Sequence, residues 1–283
     1  METITTENEL ERAGFLWRES KEGVRALVCA PLEQDGFANA FSTRGGGVSL
    51  YPEGSLNLAG FDEDSAENIR ENRRRFTYLL GESWTLAACR QVHGSDVRVV
   101  REAADAESEN ERCDALTTGA AGVLLGVKTA DCVPVLLADV RSGACAAVHA
   151  GWRGTLAEIV RRALASMREE FGTEAQDVRA AIGPAARACC YEVGAEVIEA
   201  FRAKFPHAET LFTHTREGHA LADIQKANRD QLVDAGVGAE RIHTLPLCTI
   251  CRPDLFFSYR RDKKIYGRTG RLLSVIGRNA KSK

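Results

Sequence analysis

Residues 143–164, GACAAVHAGWRGTLAEIVRRAL, commit this chain to a layered architecture. The first half, 144–148, is small and apolar throughout, as suits a strand covered on both faces. The second half carries Leu156, Ile159, Val160, Ala163 and Leu164 at helical spacing, continued by Met167, and Gly172 closes the helix. A buried strand that feeds straight into an amphipathic helix requires a sheet with that helix packed on it. Between the two lie His149, Gly151, Trp152, Arg153 and Gly154. An imidazole thus stands at a strand end, followed by a glycine-flanked turn with an arginine.

Short runs rich in Val, Leu, Ile and Ala predict further strands. They fall at 24–29, 38–41, 97–100, 123–127, 134–138, 178–182, 241–247, 255–259 and 272–276. A helix is predicted after Asp64, where Asp64 and Glu67 have capping-box-like spacing. The next starts near Thr155, a third spans about 193–205, and a fourth spans about 223–235, ended by Gly236. Strands outnumber helices and do not alternate with them strictly. The expected class is α+β, with layered mixed β-sheets and flanking helices. With no repeat and no Pro/Gly/Ser linker, residues 1–283 read as a single domain. The acidic stretch 101–113, REAADAESENERC, reads as a solvated loop.

The net charge of −3 gives no global field that favours nucleic acid or anionic membranes. The start, METITTENELERAGF, lacks the basic and apolar regions of a secretory signal. No window approaches the ~18 apolar residues of a membrane span. A cytoplasmic protein with no membrane or nucleic-acid partner is expected, as a monomer or small homo-oligomer. Nine cysteines, an odd number, argue against a disulfide framework and for reduced thiols or metal ligands.

Three segments place an imidazole or thiolate beside a tight turn: RQVHGSD with His93, KTADCVP with Cys132 and AVHAGWRG with His149. Two histidines and a cysteine make a three-ligand zinc set with the fourth position open. Taken singly, each reads equally as a core cysteine or a hydrogen-bonded histidine, and the spacing is no known zinc signature. The turn 151–154 reads either as an anion site, with Arg153 and a helix start, or as a plain connection with a surface arginine. STRGGGVS, with Arg44, is a weaker anion-loop candidate and is not a P-loop. Cys248 and Cys251 form a C-x-x-C that lacks two ligands for a closed zinc site and the flanking pattern of a redox motif. Its faint likeness to zinc base deaminases fails for want of H-x-E. FFSYRRD, with Arg260, reads as a base-stacking and anion-binding segment or as a core strand with a charged edge.

The chain resembles the YfiH family, also described as the laccase-domain or DUF152 family of purine nucleoside phosphorylases. The motifs run in order through most of the chain: FSTRGGGVS with LNLAGF, QVHGSDV, TADCVPVLLAD, AAVHAGWRGT, AIGPAARACCYEVG, LCTIC and FFSYRRDKKIYGRTGR. Ala185 and Ala186 depart from relatives that often carry Cys and Ile there. The resemblance implies that His93, Cys132 and His149 bind metal, Zn²⁺ first and a single copper second. It implies a fold akin to cytotoxic necrotising factor-like cysteine hydrolases. It also implies phosphorolysis of adenosine, inosine, guanosine and methylthioadenosine, with adenosine deamination as a companion activity. Purine nucleosides and phosphate are the implied partners. Six histidines are too few for the multicopper polyphenol oxidase of the family's older label. Within this scheme Arg153, Arg44 and Arg260 are the phosphate-binding candidates. Asp131 is the candidate for orienting a ligand or moving a proton. Three other readings stand beside it: a metal-independent cysteine hydrolase of the peptidoglycan-precursor editing type, with Cys132 activated by His149, a single-copper polyphenol oxidase, and a non-catalytic metal-binding module.

Overall fold

Strands Val133–Asp139 and Cys145–Ala150 pair antiparallel, with Val135 opposite Val148. They form the centre of a six-stranded sheet ordered Ile242–Thr244, Val178–Ile182, Val133–Asp139, Cys145–Ala150, Ala115–Thr118 and Val97–Val99. A second six-stranded sheet runs Phe15–Glu19, Arg25–Cys29, Phe37–Ser42, Leu272–Arg278, Val123–Thr129 and Thr85–Ala87. Both are mixed: Val178–Ile182 pairs parallel with Ile242–Thr244, and Thr85–Ala87 parallel with Val123–Thr129. This computed structural model describes residues 7–50, 53–60, 64–81, 84–107 and 109–279.

Period-two alternation makes four layers from these sheets. Val133, Val135, Leu137, Ala146 and Val148 pack on Ile159, Val160, Ala163 and Met167 of helix Ile159–Phe171. Helices Ala195–Lys204 and Ile224–Asp234 extend that layer. On the other side, Leu136, Ala138, Cys145 and Ala147 meet Phe15, Leu27, Phe41, Leu125 and Ile276 of the second sheet. The outer face of that sheet, with Ala26, Val28, Ala40 and Val275, packs on Phe76, Leu79 and Leu80 at helix Ala66–Tyr78. The central strands are buried on both faces, so Val133–Asp139 and Cys145–Ala150 read as nearly unbroken apolar runs. Each fully buried Phe or Leu contributes about 1.5–3 kcal/mol.

Eight of the expected strands form, with ends shifted by at most two residues; 241–247 shortens to Ile242–Thr244. Residues 255–259 are not a strand. Phe256 and Phe257 are buried in irregular chain that leaves a turn, and the Ser258 hydroxyl caps helix Tyr259–Tyr266 by accepting the Arg261 N–H at 3.2 Å. The helix expected from Thr155 is two helices, Trp152–Leu156 and Ile159–Phe171, broken where Glu158 takes φ 60°. The break leaves the buried Thr155 carbonyl to accept from Gln231 at 2.9 Å and its hydroxyl to accept from Asn228 at 2.9 Å. The expected 193–205 helix begins instead with strand Glu192–Gly194. The helix after Asp64 is capped by Ser65, whose hydroxyl accepts the Asn68 N–H at 3.2 Å. The acidic stretch is largely solvated, as expected, with residues 101–104 and 110–112 exposed; it is anchored at Ala106, which is buried, and at Glu109, which pairs with Arg73 and Lys128. Residues 1–6 of the polar start, Phe61 of LNLAGF and Ser108 lie outside the described residues. Among those described, no helix is long and apolar enough to cross a membrane.

Candidate metal centre

One sheet hands over to the other through Ala130, Asp131 and Cys132, which lie between strands Val123–Thr129 and Val133–Asp139. Asp131 makes this step at φ 91°, which a non-glycine residue rarely adopts. Its own carboxylate holds the kink. Oδ1 accepts the Thr249 hydroxyl at 2.6 Å, and Oδ2 accepts the Arg260 N–H at 2.7 Å and the Ser258 hydroxyl at 3.0 Å. Burial pushes this carboxyl up, against those hydrogen bonds. The kink carries Cys132 to the end of strand Cys145–Ala150, where His149 is only 3 % exposed.

Asp114 fixes the His149 imidazole and the backbone turn that carries His93. Its Oδ1 lies 2.7 Å from His149 Nδ1, and its carboxylate accepts the N–H groups of Val92 at 3.2 Å, His93 at 2.9 Å and Gly94 at 2.7 Å. His93 itself stands at φ 58°. With Nδ1 of His149 donating to Asp114, Nε2 is the atom left to bind a metal. The ligand atoms of His93, Cys132 and His149 all lie within 4.8 Å of one another, and the two rings meet edge to face at 4.9 Å.

Burial alone would raise the Cys132 thiol. The charge of His149 and hydrogen bonds from both histidines outweigh burial and bring it down to about 6. Burial would likewise lower His149, but the Cys132 charge and the Asp114 hydrogen bond raise it instead. A thiolate and two imidazoles form a donor set suited to zinc, with copper second. The space fits as well. A Cβ on Gly151 would stand 3.1 Å from both Cys132 Sγ and His93 Cδ2, so glycine keeps the ligand cradle clear. The other histidines, His207, His214, His219 and His243, join no such group among the described residues. The copper count of a multicopper oxidase is therefore not met by this chain's side chains.

The triad lines a cavity of about 890 Å³. Arg90, Lys128, Arg153, Arg260, Lys263, Lys264 and Arg271 also line it, against one carboxylate among the described residues, Asp131. The overall charge of −3 conceals this basic interior. Trp152, Tyr191 and Tyr259 supply aromatic faces. Arg153 stacks on Trp152 at 4.1 Å, and Arg260 on Tyr191 at 4.6 Å. Burial foremost raises the Tyr191 phenol to about 12, so it stays neutral.

Arg153, Arg260 and Asp131 are thus brought to the triad, and Arg44 is not. Arg44 donates to the Pro253 carbonyl at 2.8 Å and lies over Phe257 at 5.0 Å, outside the cavity wall. The glycines beside it serve close packing: Gly46 lies against the backbone of Gly23 and Gly47 against that of Ser55. Phe256 and Phe257 are core residues and offer no face to a base. Asp114, Tyr191, Arg90 and Lys128 escape the sequence reading. Only Asp114 leaves a trace there, as an acid directly before the apolar run ALTT.

Residues 38–279 match a family model described as multi-copper polyphenol oxidoreductase laccase. The purine nucleoside phosphorylase YfiH of Shigella flexneri is 38% identical over 241 residues, covering 85% of this chain and 93% of its own. Adenosine deaminase RL5, from an unknown prokaryotic organism, is 36% identical over 269 residues, covering 92% and 97%. The crystal structure of YlmD from Geobacillus stearothermophilus superposes with a TM-score of 0.85 at 33% identity, covering 94% of this chain and 99% of that one. Fold and sequence agree over nearly the whole length, and the chain belongs to the YfiH, or laccase-domain, family.

Proposed function

We propose that this protein is a zinc-dependent purine nucleoside phosphorylase with a companion adenosine deaminase activity. The observation that carries this reading is the position of His93, Cys132 and His149 in a cavity walled by cations and aromatic rings. The names of the Shigella and RL5 relatives, one a phosphorylase and one a deaminase, support the two activities. The substrates are adenosine, inosine, guanosine and methylthioadenosine, together with phosphate.

His93, Cys132 and His149 would hold the zinc, which when bound supplies a Lewis acid and acidifies water. The side chains around it do the rest. Trp152, Tyr191 and Tyr259 offer flat faces to the purine. Arg153 and Arg260, with the neighbouring lysines, hold phosphate for attack on the ribose C1′. The new C–O bond forms as the glycosidic C–N bond breaks, and the purine leaves with that electron pair and takes up a proton. In deamination, water adds at C6 and ammonia leaves. Asp114 keeps the proton on His149 Nδ1. Asp131 acts as a positioning residue that fixes Cys132 and the start of the Arg260 helix.

The test is chromatography of adenosine incubated with and without phosphate, alongside metal analysis. Adenine that appears only with phosphate supports phosphorolysis, and inosine supports deamination. Neither product from zinc-replete enzyme would sink the proposal. One observation favours a second reading, the cysteine hydrolase: the Cys132 thiol is held near 6 beside His149. Tightly bound stoichiometric zinc would end that reading, because a metal-bound thiolate is a poor nucleophile. Stoichiometric copper in its place would favour the polyphenol oxidase alternative.

A further inference from the structure

Four more thiols converge away from the triad, and the chemistry above uses none of them. Cys189 and Cys190 lie in the segment after strand Val178–Ile182, and Cys248 and Cys251 flank a tight turn. The Sγ atoms all lie within 4.8 Å of one another, with Cys190 and Cys251 at 2.9 Å and Cys189 and Cys251 at 3.6 Å. A tetrahedron with metal–sulfur bonds of about 2.3 Å has edges of about 3.8 Å. The two turns therefore already present their sulfurs at nearly the spacing of a tetrathiolate. None of the four is in a disulfide.

The scaffold under the sulfurs is built, not incidental. The Thr249 N–H donates to the Ala185 carbonyl at 3.0 Å, and Arg187 Nη1 to the Pro246 carbonyl at 3.0 Å. These bonds clamp one turn to the other. Arg261 Nη1 donates to the carbonyls of Thr249 at 2.9 Å and Ile250 at 3.0 Å, which shapes the C-x-x-C turn from below. The Arg187 carbonyl accepts the N–H groups of Cys190 at 2.9 Å and Tyr191 at 2.8 Å, which shapes the other. Cys248 is buried, Cys190 and Cys251 are half-buried, and Cys189 is exposed, so an ion can enter from one side.

We propose that Cys189, Cys190, Cys248 and Cys251 form a second zinc site, closed and structural, distinct from the His93–Cys132–His149 centre. Four soft donors select zinc over harder divalent ions, and four ligands leave no position for substrate. Binding converts thiols to thiolates and releases their protons to solvent. The site pins the cavity wall. Tyr191 follows Cys190 directly, and Thr249, between the other two ligands, donates to Asp131 beside Cys132.

The experiment is elemental analysis of the full chain, purified without chelator, together with two variants. Two zinc ions per chain are expected in the unmutated protein. Cys132→Ser should retain one, and the double variant Cys248→Ser/Cys251→Ser should retain the other. To make the test independent of how the double variant folds, the unmutated protein is also alkylated and mapped by mass spectrometry. Exposed Cys189 should react more slowly by roughly an order of magnitude or more until a chelator strips the metal. A single zinc lost only with Cys132→Ser, rapid alkylation of Cys189 in metal-replete protein, iron in place of zinc, or a disulfide among the four would each overturn the site. Failure of the triad as a zinc centre shows separately, as zinc that survives Cys132→Ser at the unmutated stoichiometry.

Discussion

Asp114 and His149 are joined twice: the Asp114 carboxylate meets His149 Nδ1 at 2.7 Å, and the Asp114 carbonyl accepts the His149 N–H at 2.7 Å. The second bond continues the pairing of Ala115–Thr118 with Cys145–Ala150, so the sheet itself delivers the carboxylate to the ring. Asp114→Asn keeps the shape and removes the charge. Zinc affinity at the triad should fall by roughly 10–100-fold, measured by competition with a chelator, while circular dichroism stays unchanged. Unaltered affinity would restrict Asp114 to holding the 92–94 turn.

Cys132→Ser should strip the triad of most of its zinc, because a hydroxyl replaces the thiolate poorly at a soft site. Both nucleoside reactions should go with it. His207, His214, His219 and His243 should each be replaceable by Ala with zinc content intact. Full activity in Cys132→Ser, or zinc loss on changing any of those four, would contradict the ligand set.

Gly151→Ala tests the cradle. The backbone at Gly151, φ −70° and ψ 169°, accepts alanine, so the new methyl acts through contact alone. It would press on Cys132 Sγ and His93 Cδ2, each 3.1 Å away. Global stability should drop by about 1–3 kcal/mol, as for ordinary overpacking. Zinc affinity should fall out of proportion to that loss. Equal zinc affinity in this variant, by the same chelator competition, would show that the ligands have room to spare.

Arg153→Ala separates the two reactions. Phosphorolysis needs an anion fixed in line with C1′, whereas deamination does not. The phosphate KM should rise and phosphorolysis fall by roughly ten- to a thousand-fold, the loss of one charge-assisted contact. Zinc content should hold, and deamination should fall less. Equal losses in steady-state kinetics would mean that Arg153 and Trp152, stacked at 4.1 Å, shape the whole pocket together.

The triad is legible in the sequence through the family resemblance of the motifs that carry it, because His93, Cys132 and His149 taken singly read equally as core or hydrogen-bonded residues. The double-sided burial of the central strands is legible in their nearly unbroken apolar runs. Asp114 is not, because nothing local distinguishes an acid that closes an acidic stretch from one that bonds a histidine 35 residues on. The four-cysteine cluster is hidden in the same way: Cys190 and Cys251 meet across 61 residues through clamped turns that no spacing rule describes. Residues 255–259 look like a strand because Phe256 and Phe257 are buried, but the chain there is irregular and Ser258 caps a helix. The helix from Thr155 breaks at Glu158, whose left-handed backbone leaves no mark in a pattern of apolar residues.

Cys132 stands on the three-residue step between the sheets, and His149 stands on one sheet alone. Cys132 directly precedes Val133, which pairs with Ala150, so it reaches His149 across two neighbouring strands of that same sheet. The strand register therefore sets the approach of these two candidate ligands: a slip of one residue would turn His149 away from Cys132 with every side chain of the site still in the chain.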